Sequence, residues 1–317
     1  MTIARAARGL GVAAFAAAAS LGAGLPARAQ MTASSQRVVG GAMEFSFAFR
    51  DAAGAARTLA FRLPVAEVDA AMALFRDYSI PHLYLEIENA VLAEARRAGV
   101  TLRVTRVGQG MSIRFAPETQ PGAAAFQARL DDIVDGARNR WLARHTRRAD
   151  GPAIHMDYRA ATARYTAAVR PVALALAAQL AGADDRARIA LALAFVQSIP
   201  YDDLVDPRAA GGIEFAPPPA MFRIAKGDCD SKTVALAAIL RTLAPGRRVA
   251  FLTLPQHVAL LVDLPPAPGD AIVRHAGRDW VALEPSGPAV VPPGHVAPTT
   301  AWYFDRPAEM VVHEAGG

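Results

Sequence analysis

One cysteine, two lysines and a small share of aromatic residues set the first limits on this 317-residue chain. With Cys229 alone, no internal disulfide can form, so stability must come from packing. Lysine is confined to Lys226 and Lys232, and the other 32 basic side chains are arginines. They form no cluster with interleaved aromatics, which argues against a nucleic-acid surface and for compositional bias. His, Cys, Asp and Glu show no zinc-type spacing. Beyond the N-terminus no segment is apolar for long enough to span a bilayer, so no membrane span is expected.

That N-terminus has its own pattern. Arg5 and Arg8 precede an apolar stretch from about Leu10 to Leu25, which closes on Ala27-Arg28-Ala29. A basic region, a short apolar run and an A-x-A site describe a cleavable export signal over residues 1–29. The mature chain is then expected to start at Gln30 and to work in the periplasm or outside the cell. The formal charge of +5 falls to +2 once Arg5, Arg8 and Arg28 are set aside.

Residues 30–38 are small and polar and read as a disordered mature N-terminus. Met43–Phe49 alternates and pairs naturally with Thr58–Leu63 across Asp51–Gly54. Helical patterns follow at 65–77 and 84–98, then a hairpin of 100–107 with 111–115 around Gly108–Gly110, then a helix over 123–145. Residues 30–150 thus form an N-terminal α+β region in which no chemistry is visible. His82, His145 and His155 are isolated there, as surface or satisfied core histidines usually are.

From 151 to 317 the pattern changes. Helices are expected over 158–180 and 184–198, the second stopped at Ile199-Pro200. A loop over 202–220 rich in Asp, Gly and Pro leads to a helix from Asp230 to Leu243, with one apolar face of Leu236, Ile239, Leu240 and Leu243. Strands follow at 248–254, 257–264, 271–275 and 279–283. The whole reads as α+β, with helices packed on an antiparallel sheet.

Chemistry concentrates in Lys226-Gly-Asp-Cys-Asp-Ser-Lys232. A cysteine in the first turn of a helix sits at the positive end of the macrodipole, which favours the reactive thiolate. Asp228 and Asp230 oppose that charge, so a cation such as imidazolium is needed beside the sulfur. His257 heads an apolar strand that packing alone does not explain. Trp280, Ala282 and Glu284 share one strand face, from which Glu284 can orient the ring. Lone His or Glu residues are more often structural, and the constellation is what carries weight.

Gly-Asp-Cys-Asp-Ser-Lys followed by Val-Ala-Leu-Ala-Ala-Ile-Leu resembles the nucleophile helix of the transglutaminase-like superfamily, closest to the bacterial transglutaminase-like cysteine proteinases. Gln256-His257-Val258-Ala259 is similar to that family's histidine strand, Trp280–Ser286 to its Trp…acid-Pro-Ser/Thr strand, and Phe195–Tyr201 to the helix end before its cysteine loop. The likeness spans roughly residues 185–290. It implies a papain-like core with Cys229 as nucleophile, His257 as base and Glu284 as orienter, where many members carry Asp. It also implies a protein or peptide substrate and hydrolysis rather than cross-linking.

The Cys229 N–H is the natural oxyanion donor. Gln197 is a side-chain candidate by analogy with papain-like enzymes, although a surface residue at a helix end is the favoured reading. Asp202, Asp203 and Asp206 could hold calcium, as loops do in some relatives; a solvated acidic loop explains them better, and no cofactor is expected. His275 and His295 read as surface residues. Two further readings stay open: a catalytically silent binding or scaffolding module, and an oxidant sensor built on the lone thiol.

Overall fold

A computed structural model describes residues 31–107, 110–117, 119–151, 153–204, 215–287 and 289–315. The expected signal segment, the Gly108-Gln109 tip, Asp206 and most of the 202–220 loop lie outside these residues. The chain is α+β and divides into two compact units, residues 77–157 and the remainder of the described chain.

The larger unit starts with an antiparallel sheet of β1 (Met31–Val39), β2 (Ala42–Arg50) and β3 (Ala56–Pro64), in that order. β2 turns Met43, Phe45, Phe47 and Phe49 to the core, and β3 turns Leu59, Phe61 and Leu63. Period-two alternation made this pair readable. The turn is fixed by Asp51, whose carboxylate accepts from the Ala53 and Ala55 N–H groups and pairs with Arg57. β1 corrects the expected disorder of residues 30–38. It pairs with β2 along its length, yet it is exposed on both faces and shows no apolar alternation. Gly40 and Gly41, both at positive φ, turn it back into β2. α1 (Val65–Asp77) follows as expected.

Residues 77–157 hold α2 (Ile80–Arg97), the hairpin β4 (Leu102–Val107) and β5 (Gly110–Phe115), α3 (Ala123–Ala128), α4 (Leu130–Arg144), β6 (Arg147–Asp150) and β7 (Ala153–Met156). α2 starts four residues before the expected position because the Ser79 hydroxyl accepts the His82 N–H and Pro81 suits a first turn. The helix expected over 123–145 breaks at Arg129. The small β6–β7 hairpin is an addition to the expected elements, and each of its strands has only four residues. The core gathers Leu83, Ile87 and Val91 of α2 with Phe126 and Trp141. His145 is buried here, its Nδ1 2.9 Å from the Trp141 carbonyl and Nε2 3.2 Å from Asp77.

The larger unit resumes with α5 (Tyr158–Thr166), α6 (Arg170–Gln179), α7 (Asp185–Ser198), α8 (Pro218–Ile224) and α9 (Cys229–Leu243). The expected 158–180 helix is two helices because Pro171, in the first turn of α6, cannot continue α5. α8, which opens on Pro218 and Pro219, lies where only a loop was expected. A five-stranded antiparallel sheet follows: β8 (Val249–Leu254), β9 (His257–Val262), β10 (Ile272–His275) and β11 (Arg278–Leu283), then α10 (Pro298–Ala301) and β12 (Val311–Glu314), in the order β10-β11-β9-β8-β12.

α9 is the centre of this unit. It packs on α5, α6, α7 and β9, and Thr233 through Leu240 are buried without interruption. The single apolar face expected for it is therefore wrong: alanines at 235, 237 and 238 let neighbours close in on the other sides. The expected boundary at 150/151 moves as well. β1–β3 belong with the C-terminal elements, since Phe47 and Phe61 stack edgewise on Phe195 of α7 and Phe222 of α8.

Candidate active site

The cysteine loop is held from both sides. Pro200 accepts from the Gly227 N–H and Gly227 from the Asp202 N–H, so the chain leaving α7 runs parallel to the segment entering α9. A Cβ at Gly227 would stand 2.8 Å from Met221 Sδ, so the methionine side chain would have to shift to admit one. Asp228 then caps α9, its carboxylate accepting the Ser231 N–H at 2.8 Å. Cys229 is thus the first helical residue, partly exposed, with the Val258 and Asp230 N–H groups directed at its sulfur.

Those donors do not decide its charge. Burial, then the carboxylates of Asp230 and Asp228, push the thiol well above its ordinary range. Burial and the two carboxylates thus oppose the thiolate that the helix start favours. Asp230 also accepts from Tyr158 Oη at 2.6 Å. Asp228→Asn keeps a capping oxygen and removes one opposing charge. That variant is expected to be alkylated several-fold faster at a fixed neutral pH, read as the iodoacetamide rate.

Register brings the other two residues together. β11 pairs with β9 through Leu283↔Leu260, so Glu284 comes next, diagonal to His257 on the same face. His257 Nε2 lies 2.8 Å from Glu284 Oε1. The side chain of His257 is 23% exposed and that of Glu284 only 6%. Burial disfavours imidazolium, but the hydrogen bond and charge of Glu284 override it, and the ring's pKa is raised from its ordinary value. Burial likewise opposes the Glu284 carboxylate, while His257, Thr300 and the Ala297 N–H hold its pKa below the usual range. α9 and β9 meet at this level: Thr233 Oγ1 donates to the Val258 carbonyl at 3.3 Å. With Nε2 on Glu284, Nδ1 is the nitrogen left to exchange a proton.

Gln197 departs from both expectations. It is fully buried, not a surface residue. Its amide nitrogen donates to the Glu284 carbonyl at 2.8 Å and its oxygen accepts the Val291 N–H at 3.1 Å. These contacts make it a clamp on the Glu284 turn and give no support to an oxyanion role. Three contributors went unread in the sequence. Thr300 donates to Glu284 Oε2 at 2.6 Å, Tyr158 holds Asp230, and Lys232 is wholly buried. For Lys232 a signal existed, a lysine one turn past the cysteine within an apolar helix; Tyr158 and Thr300 gave none.

Asp202 pairs with Lys226 at 2.9 Å and accepts the Leu204 N–H. Among the described residues no three His, Cys, Asp or Glu side chains gather as metal ligands, and no helix is long and apolar enough to cross a membrane. Comparison with protein-family models, curated proteins and solved structures returns no match.

Proposed function

We propose that this chain is an exported cysteine hydrolase or acyltransferase of transglutaminase-like, papain-like type, acting on an amide bond of a protein or peptide. The reading is supported by a buried central helix that begins at the lone cysteine and packs on an antiparallel sheet. The observation that carries it is the 2.8 Å His257–Glu284 pair at the head of β9, with the neighbouring Val258 N–H directed at Cys229.

In the proposed reaction His257 Nδ1 takes the thiol proton as Cys229 sulfur attacks the amide carbonyl carbon. The Cys229 N–H, at the start of α9, faces the developing oxyanion. The C–N bond then breaks, the imidazolium proton goes to the leaving amine, and a thioester remains. Water gives a proton to His257 and attacks the thioester, releasing acid and restoring the thiol; an amine in place of water would complete acyl transfer. The export signal expected over residues 1–29 supports a periplasmic or extracellular setting for this chemistry.

The two carboxylates beside the sulfur, which oppose its ionisation, favour a second reading, a catalytically silent module that keeps the fold. Iodoacetamide labelling of the native protein at neutral pH separates them. Labelling abolished by Cys229→Ala and slowed at least ~10-fold by His257→Ala is the expected result. Labelling slower than that of a free thiol and indifferent to His257 would leave the silent module.

A further inference from the structure

Lys232 is the fourth residue of α9, one helical turn past Cys229. Its side chain has no exposed surface, a rare state for lysine. Nζ donates to the carbonyls of Ser286 and, at 3.4 Å, Gln197. These belong to the turn that follows Glu284 and to the end of α7. Gly287 closes the turn at φ +66°, and a Cβ there would stand 2.5 Å from the Gln197 carbonyl oxygen. Two carboxylates face the ammonium: Asp228, capping the same helix, and Glu284, from the end of β11. Both are themselves buried, at 2% and 5% exposure. Desolvation outweighs the upward pull of Asp228 and Glu284 and leaves the lysine lowered to about 7. An apolar side chain of similar length would fill the same space without being desolvated, so packing alone does not account for an ammonium here.

We propose that Lys232 is a positioning residue of this site: its ammonium ties the Glu284–Gly287 turn to the end of α7 and supplies the positive charge beside which Glu284 and Asp228 stay ionised. What that charge acts on rests on the Cys229–His257–Glu284 reading. Removing a cation raises the pKa of every group near it, whether thiol, carboxylic acid or imidazolium. All three shifts move the onset of thiol reactivity to higher pH.

The test is the pH profile of iodoacetamide labelling in Lys232→Met and Lys232→Gln, with folding followed by circular dichroism. The expected result is a midpoint moved up by about one unit, which is about tenfold slower labelling on the acid side. Gly287→Ala disturbs the same turn and keeps the charge, so it is expected to slow labelling at an unmoved midpoint. A folded Lys232 variant whose midpoint is unmoved overturns the proposal. If instead His257→Ala leaves the parent protein's labelling unchanged, the triad reading fails, and the two failures are distinct. Should neither Lys232 variant fold, the unaltered protein still decides, because Lys226 and Lys232 are its only lysines. One solvent-like 13Cε lysine signal is expected, and a second, distinct one that keeps its ammonium form on the acid side of the labelling profile; a buried lysine already neutral there overturns the proposal.

Discussion

Glu284→Gln is expected to lower turnover through Cys229 by up to roughly 10⁴-fold, the drop that follows when the orienting acid of a triad loses its charge. A glutamine fits the space, and Thr300 can still reach its side-chain oxygen. What disappears is the charge that outweighs burial at His257. Without it only the charge of Asp230 opposes desolvation, and the imidazole pKa is expected to fall. A two-dimensional NMR titration of the ring in both proteins reads this directly. A raised pKa that survives the substitution would show that Glu284 is not what makes the ring basic.

The same pair ties stability to pH, and the two partners act from opposite sides. Glu284 has a folded pKa below its unfolded one, so its contribution is present above the ordinary carboxylate value and is lost as pH falls through the folded pKa. His257 has a folded pKa above its unfolded one, so its contribution is complete below 6.5 and is lost as pH rises through the folded value. The ion pair therefore stabilises most between the ordinary glutamate and histidine values. Chemical denaturation of Glu284→Gln should show its largest loss in that mildly acidic window and a smaller one at alkaline pH. A loss independent of pH would mean that shape, not charge, is what the substitution removes.

How much of this could be read in advance depended on whether a residue's role left a mark on its neighbours in sequence. β2 and β3 did so through Phe45, Phe47, Phe49, Phe61 and Leu63, since half-buried strands must alternate. Cys229, His257 and Glu284 stand where the pattern put them, at the start of α9, the head of β9 and just past β11. β1 left none, because a strand exposed on both faces has no apolar period and is held by its ladder to β2. Gln197 was misread for a related reason: at a helix end polarity suggests solvent, but the partners that bury it, Glu284 and Val291, lie about ninety positions away. α9 looked one-sided because alanine counts weakly in an apolar pattern, yet in a crowded interior a small side chain is what permits contact all round. Thr300 and Tyr158 act across long sequence separations through one hydrogen bond each, and nothing local encodes that.

The placement of β1–β3 with the C-terminal elements leads to a second large effect. Residues 158–317 produced alone are expected to lack a cooperative melt, although they hold Cys229, His257 and Glu284. The reason lies in the aromatic cluster. Phe195 of α7 meets Phe47, Phe49 and Phe61 at ring separations of 5.5, 5.7 and 6.4 Å, and it is wholly buried. Cutting away β2 and β3 bares that face of α7 two residues before Gln197, whose side chain holds Glu284. In the full chain, Phe195→Ala should cost about 3–5 kcal/mol, as loss of a buried phenylalanine generally does. For a unit of this size that lowers the melting midpoint on the order of 10 °C. Because Gln197 sits on the same last turn, the variant's labelling at Cys229 should also slow while the protein is still folded. Native-rate labelling in residues 158–317 alone would instead show that the phenylalanine sheet is dispensable to the site, and that the chain divides near residue 150 after all.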